Sequence, residues 1–297
     1  MNTYLWLVRR EFWENRAIWL IPAALGALLI LAALFGGYQV VGAVDLSTVR
    51  SVVQAGALDG MIVIVVTFFV VMAIYSTWYL LDCLYADRKD RSILFWKSMP
   101  ISDSVTVASK LGIALILIPL CYFAFADLTT LLMAFIISVR AGASIGSSLW
   151  RGDLWLEIQA LWFYLIVTTA IWYLPVAGWL LLVSAWAKRA VILWSILPPL
   201  ALVLAERVFL GTHVIAGQLA ARLGLLGYAS HAFQYTPGAA NWVMTEIGHD
   251  TITTPVSVYR FVNAGGFLSS PETWIGAAVG AVLIAAAIQL RIRYTET

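Results

Sequence analysis

The chain has 297 residues, 62% of them hydrophobic and 11% charged, with a formal net charge of +2 and a mean hydropathy of +0.89. Soluble domains carry about 25% charged residues, so this composition excludes an ordinary water-soluble globular domain and makes lipid the solvent. The small net charge, with no basic tract interleaved with aromatics, excludes a nucleic-acid binder, and two cysteines, Cys83 and Cys121, make no disulfide framework.

Residues 1–16 open the chain. Leu5, Val8 and Phe12 share one helical face, with Arg9, Arg10 and Arg16 around the other. That pattern predicts an amphipathic helix lying in the interface, with Tyr4, Trp6 and Trp13 at headgroup level. Arg9-Arg10-Glu11-Phe12 also resembles a twin-arginine export signal. The long apolar run behind it, and five more after that, make it an anchor and not a cleaved leader. Spans are predicted at about 17–37, 61–81, 111–137, 160–184, 190–209 and 273–290, each near the roughly 20 residues that cross a hydrocarbon core. The segment Tyr38–Gly60 reads as a short, weakly polar loop.

The second span leads into the most polar stretch of the chain, within a connector at 82–110. Five charges fall in a row: Asp87, Arg88, Lys89, Asp90 and Arg91. Asp87 and Arg91 stand at i, i+4 with the acid first, the favourable order on a helix. Ile93–Trp96 supplies a bulky apolar tip that includes Phe95. Pro100, after Met99, cannot continue a helix, and Ser102 or Asp103 can cap a new one running through Lys110. The connector is expected to be helix, sharp stop, helix. The plainer reading is an amphipathic helix lying on the membrane with its charges in water.

Asp127 interrupts the third span, and a carboxylate inside a membrane is a site hypothesis by default. It marks a point on a substrate path, or else a structural group bonded to Thr129, Thr130 or a neighbouring helix. Gly142-Ala143-Ser144-Ile145-Gly146 fits the G-x-S-x-G nucleophile pattern, which raises an intramembrane serine protease with Ser144 as the attacking group. Such a serine needs a histidine base in reach. His213, His231 and His249 all lie in the loop before the last span, and the pattern is built from ordinary loop residues. Pro22, Pro119, Pro175, Pro198 and Pro199 fall within spans and permit bending. Lys188-Arg189 form a very short turn. The segment 210–272 reads as short helices on or dipping into the outer leaflet. One is expected over Val214–Leu226, with breaks at Gly227, Pro237-Gly238 and Gly265-Gly266. Tyr235, Phe233, Trp242 and Phe261 suit the interface. Gly276 and Gly280 form a G-x-x-x-G face for close packing against a helix of this chain or of a second subunit.

Orientation follows from the basic residues. With both termini in the cytosol, the inner segments hold twelve of the eighteen Lys and Arg residues, among them Arg9, Arg10, Lys97, Lys110, Lys188, Arg189 and Arg291. No lysine follows a glycine, so the chain carries no P-loop and hydrolyses no ATP of its own. No heme, flavin, zinc or calcium pattern is present.

Arg88-Lys89-Asp90-Arg91-Ser92 through Ser98-Met99-Pro100-Ile101-Ser102, followed by Lys110, resembles the element after the second helix in type-2 ABC transporter permeases. Arg9–Arg16 is similar to that family's amphipathic connecting helix. The resemblance covers the whole layout, though Arg91-Ser92 stand where the family has Gly-Thr. It implies an all-α membrane protein of six transmembrane helices with cytosolic termini. It further implies a cytosolic coupling helix between helices two and three, and short outer helices between five and six. It implies the permease subunit of an ATP-driven exporter in the inner membrane, a homo- or heterodimer coupled to separate ABC ATPase subunits that hold the ATP and magnesium. The coupling residues are then Asp87, Arg88, Lys89, Asp90, Arg91, Phe95, Trp96, Met99 and Pro100, with an amphipathic substrate such as a peptide antibiotic or a lipid. The alternatives are the protease at Ser144 and a proton-coupled carrier using Asp127. A secondary transporter often shows two repeated halves, and no convincing repeat is found here.

Overall fold

The structure is a computed structural model that describes residues 3–35, 46–90, 102–141, 150, 152–233 and 262–293. Among them there is no strand; one isolated bridge joins Phe233 and Val262. In chain order the helices are α1 (Thr3–Glu14), α2 (Ala17–Phe35), α3 (Leu46–Lys89) and α4 (Asp103–Gly112). A π segment (Ile113–Leu117) joins α4 to α5 (Ile118–Ala141). Then come α6 (Gly152–Trp172), α7 (Leu174–Trp186) and α8 (Val191–Ala205), which ends in a second π segment (Glu206–Leu210). Short helices α9 (Val214–Leu223), α10 (Leu225–Ala232) and α11 (Ala264–Ser269) precede the last, α12 (Pro271–Arg293).

Six helical stretches are long and apolar enough to cross a membrane: Ala17–Phe35, Gly60–Lys89, Asp103–Arg140, Trp155–Trp172, Val191–Leu210 and Pro271–Arg293. Each overlaps one of the six apolar runs of the sequence. Three differences stand out. Helix α3 starts at Leu46, so much of the expected loop 38–60 is helical; no proline interrupts it, and α3 extends about 66 Å at 1.5 Å per residue. The helix capped by Ser102, whose hydroxyl accepts from the Val105 N–H, does not end near Lys110 but runs on into the third span. The fourth span is two helices that meet at Tyr173.

Proline chemistry explains the break. Pro175 has no N–H for the Ile171 carbonyl, and its ring crowds that carbonyl. Tyr173 keeps a helical backbone, donating to Thr169 at 2.8 Å and accepting from Ala177 at 2.8 Å, so the chain bends without unwinding. Pro119 is handled differently. The π segment lies just before it, where the Ile118 N–H reaches back to Ile113, and this wider turn accommodates the ring. Pro198 and Pro199 lie within α8.

The core lies between α3, the α4–α5 helix, α6, α7 and α12, where Phe68, Leu80, Ile113, Tyr122, Trp162 and Leu181 are almost fully buried. Glycine permits the tightest crossings. A methyl group on Gly280 would lie 2.7 Å from the backbone of Leu174, and one on Gly178 would lie 2.7 Å from the Gly280 carbonyl. Helix α12 therefore packs backbone to backbone on the bend of the fourth span, so the Gly280 half of G-x-x-x-G meets a helix of this same chain. Gly276 meets the Arg222 guanidinium instead. In the outer segment the expected break at Gly227 falls at Gly224. Gly227 lies inside α10, where a Cβ would sit 2.3 Å from the Ala221 carbonyl, so glycine serves the fold of α10 onto α9.

Candidate functional site

Four stretches distant in sequence supply one cluster of charge. Glu11 comes from α1, Asp87 from the end of α3, Asp103 and Lys110 from α4, and Arg291 from the end of α12. Asp87 stands at the centre. One of its oxygens accepts from the Lys110 Nζ at 3.3 Å and the other from the Arg291 Nη1 at 3.2 Å. Lys110 also donates to Glu11 at 2.9 Å, and the Arg291 Nε donates to Asp103 at 2.9 Å. Glu11 accepts further hydrogen bonds from the Tyr79 hydroxyl at 3.2 Å and the Asn15 amide at 3.0 Å. The side chains of Lys110 and Arg291 are each only 4% exposed. Such charges are tolerable away from water only because each is paired and hydrogen-bonded. The cluster fastens α1, both helix ends that flank the connector, and the last helix into one base.

The neighbouring residues divide between inside and outside. Arg88 turns inward, donating to the carbonyls of Ser184 and Ala187, the latter at 2.8 Å, at the end of α7. The Ser184 hydroxyl in turn accepts from the backbone of Leu84 at 3.1 Å and Tyr85 at 3.0 Å. Lys89 and Asp90 are exposed. Asp87 and Arg88, read from sequence as surface contacts for a partner, are thus engaged within the chain. The expected coupling residues Arg91, Phe95, Trp96, Met99 and Pro100 lie outside the described residues, as does Ser144 with its whole G-x-S-x-G pattern.

Asp127 is half-buried and faces α6, where the Gln159 amide nitrogen lies 2.9 Å from both carboxylate oxygens. Thr129 and Thr130 bond instead to their own helix, at Phe125 and Ala126. In the sequence Gln159 carries no signal beyond being an amide within a largely apolar run.

Toward the opposite end of the bundle, Arg222 of α9 reaches into the bend of the fourth span. It donates to the Trp172 carbonyl at 3.0 Å and to the Glu272 carbonyl, and its guanidinium lies 3.9 Å from the centre of the Trp172 ring. Burial draws that guanidinium below its ordinary range, with the Glu272 carboxylate opposing. The His231 ring lies tilted against the same indole, 4.6 Å between centroids, and its Nε2 is 3.0 Å from a Glu272 carboxylate oxygen. Among the described residues no group of three or more His, Cys, Asp or Glu side chains is arranged to hold a metal.

No protein-family model, no curated protein and no solved structure matches the chain.

Proposed function

We propose that the chain is the membrane-spanning subunit of a type-2 ABC exporter, working as a dimer in a bacterial-type inner membrane with separate ATPase subunits. The observation that carries this reading is the ionic base. Both ends of the 90–102 connector are tied by buried charge pairs to α1 and α12, through Asp87 on one side and Asp103 with Lys110 on the other. A force applied to the connector by an ATPase would reach the second, third and last spans and the amphipathic α1 together. In this reading Asp87 and Arg88 act as internal braces, while Lys89, Asp90, Arg91, Phe95, Trp96, Met99 and Pro100 remain to meet the partner. Asp127, held by Gln159, serves the packing of α5 against α6. An amphipathic substrate rests on family analogy alone.

The test is affinity purification of the full chain in mild detergent, followed by substrate-stimulated ATP hydrolysis. An ATPase should co-purify, and Phe95→Ala with Trp96→Ala should weaken its retention by the equivalent of a few kcal/mol, as loss of aromatic anchors does. Transport that continues with no ATPase present and stops in Asp127→Asn would replace this reading with a proton-coupled carrier.

A further inference from the structure

A second feature lies at the turn between α7 and α8. Trp186, Ala187, Lys188, Arg189 and Trp194 line a cavity of about 400 Å³. Its two indoles pack edge to face, 4.8 Å apart with an interplanar angle of 71°. The wall behind them is fixed, because Arg88 holds the Ala187 carbonyl at 2.8 Å and the Trp179 indole donates to the Ser195 carbonyl at 2.9 Å. Lys188 and Arg189 are exposed, and neither makes a hydrogen bond or ion pair among the described residues. The contrast with Lys110 and Arg291 is direct, since those cations are taken up by Glu11, Asp87 and Asp103.

The surroundings say what kind of anion belongs there. Helices α7 and α8 are both apolar and meet at residues 187–190, so the turn sits where hydrocarbon gives way to headgroups. Tryptophan prefers that level, and a cation there gains about 1 kcal/mol from an anionic lipid. Below the cations, α8 presents Ile192, Leu193 and Ile196, all close to half exposed or more, as a track for an acyl chain. A soluble anion would use the cations and leave the indoles and the track without a role. A ligand with an anionic head and an apolar tail uses all of them. We propose that the turn is a binding site for a phospholipid with an anionic headgroup, the phosphate on Lys188 and Arg189 and the glycerol and upper chain against Trp186 and Trp194. The proposal is independent of the transporter reading, since it needs only that α7 and α8 lie in a bilayer.

The experiment is native mass spectrometry of the delipidated full chain, titrated with phosphatidylglycerol or phosphatidylcholine of matched acyl chains. Phosphatidylglycerol should bind more tightly. Lys188→Gln and Arg189→Gln should each weaken it about fivefold and the pair about thirtyfold, the equivalent of about 1 kcal/mol per cation. The charge-keeping pair Lys188→Arg and Arg189→Lys should retain it, which separates lost charge from lost fold, and Arg293→Gln should leave it unchanged. Equal binding of the two lipids, or undiminished phosphatidylglycerol binding by the double Gln variant, would overturn the site. Full displacement of the lipid by millimolar inorganic phosphate would assign the cations to a soluble anion and end the lipid reading.

Discussion

The two ends of the bundle handle charge by opposite means. At one end charge meets charge, with Lys110 and Arg291 spread across Glu11, Asp87 and Asp103. Toward the other, among the described residues, Arg140, Arg222 and Glu206 meet backbone. Arg140 donates to the carbonyls of Ala33 at 3.0 Å and Leu34 at 2.9 Å, closing the end of α2. Arg222 takes the Trp172 and Glu272 carbonyls, and Glu206 accepts from the N–H groups of Val214 at 2.6 Å and Ile215 at 2.8 Å, capping α9. The side-chain contact found there, His231 Nε2 with the Glu272 carboxylate at 3.0 Å, is more exposed. The difference is one of interdependence. Arg140 at the end of α2 and Glu206 at the start of α9 satisfy groups that every helix leaves over, so those bonds need no opposite charge. A charge on another buried charge needs its partner, and removing either strands the other. The first arrangement joins side chains to single backbone groups; the second ties four helices through one shared network of charge.

The largest expected effect breaks the ionic end. Lys110→Met removes one cation and leaves Glu11 and Asp87 facing each other with less compensation in a place shielded from water. Breaking a buried pair in this way costs about 3–5 kcal/mol. Arg291→Leu should cost a similar amount through Asp87 and Asp103. Thermal unfolding in detergent measures both. Adding Glu11→Gln to Lys110→Met should recover part of the loss, because the stranded charge is then gone, and this coupling defines the network. Additive losses in the double variant would show the pairs to be independent, and the contrast between the two ends would collapse.

A middle-sized effect sharpens the comparison from the other side. Arg222→Gln should cost about 1–2 kcal/mol, the sum of weakened carbonyl bonds and a lost cation–π contact at a half-exposed site. Its hydrogen bonds are to backbone and the Glu272 carboxylate keeps its His231 contact, so combining it with Glu272→Gln should show a coupling smaller than that between Lys110 and Glu11. A cost for Arg222→Gln equal to that of Lys110→Met would mean that the bend of the fourth span depends on this arginine as much as the base depends on its ion pairs.

The sequence shows the parts of this comparison but not the pairing. The six apolar runs are plain because each is a continuous stretch with few charges, and local patterns suffice to find them. The Ser102 cap and the influence of Pro175 are local as well, although whether a proline bends, breaks or merely sits in a helix depends on the neighbours it packs on. Pro175 is met by Gly280 and Pro119 by a π turn, and neither circumstance is written beside the proline. The ionic base is non-local by construction, because Asp87 and Arg291 are 204 residues apart. Hence Asp87 and Arg88, sitting in a row of charges, read as surface groups although their partners are internal. Gln159 is illegible in the sequence for the same reason: an amide gains meaning only when Asp127 is placed 2.9 Å from it.

The smallest effect concerns the turn that joins these themes. At residues 187–190 the ionic end works as the far end does, with Arg88 closing α7 through backbone carbonyls. The turn is completed by Ala190, whose backbone is left-handed at φ 52° and ψ 52°. A side chain in that region costs roughly 1–2 kcal/mol, because its Cβ crowds the carbonyl that follows. Glycine removes that cost but returns about 0.4–1 kcal/mol through a more flexible unfolded chain. Ala190 is exposed, so losing its methyl group sacrifices little packing. Ala190→Gly should therefore stabilise the protein by about 0.5 kcal/mol, a rise of roughly 1–2 °C in Tm for a chain of this size. Ala190→Val should do the opposite by a larger margin, since a branched Cβ fits this region worst. A fall in Tm for the glycine variant would mean that the turn relies on the stiffness of alanine more than it suffers from its strain. A turn closed by backbone contacts would then be rigid by its own geometry, and the ionic base would owe nothing to it.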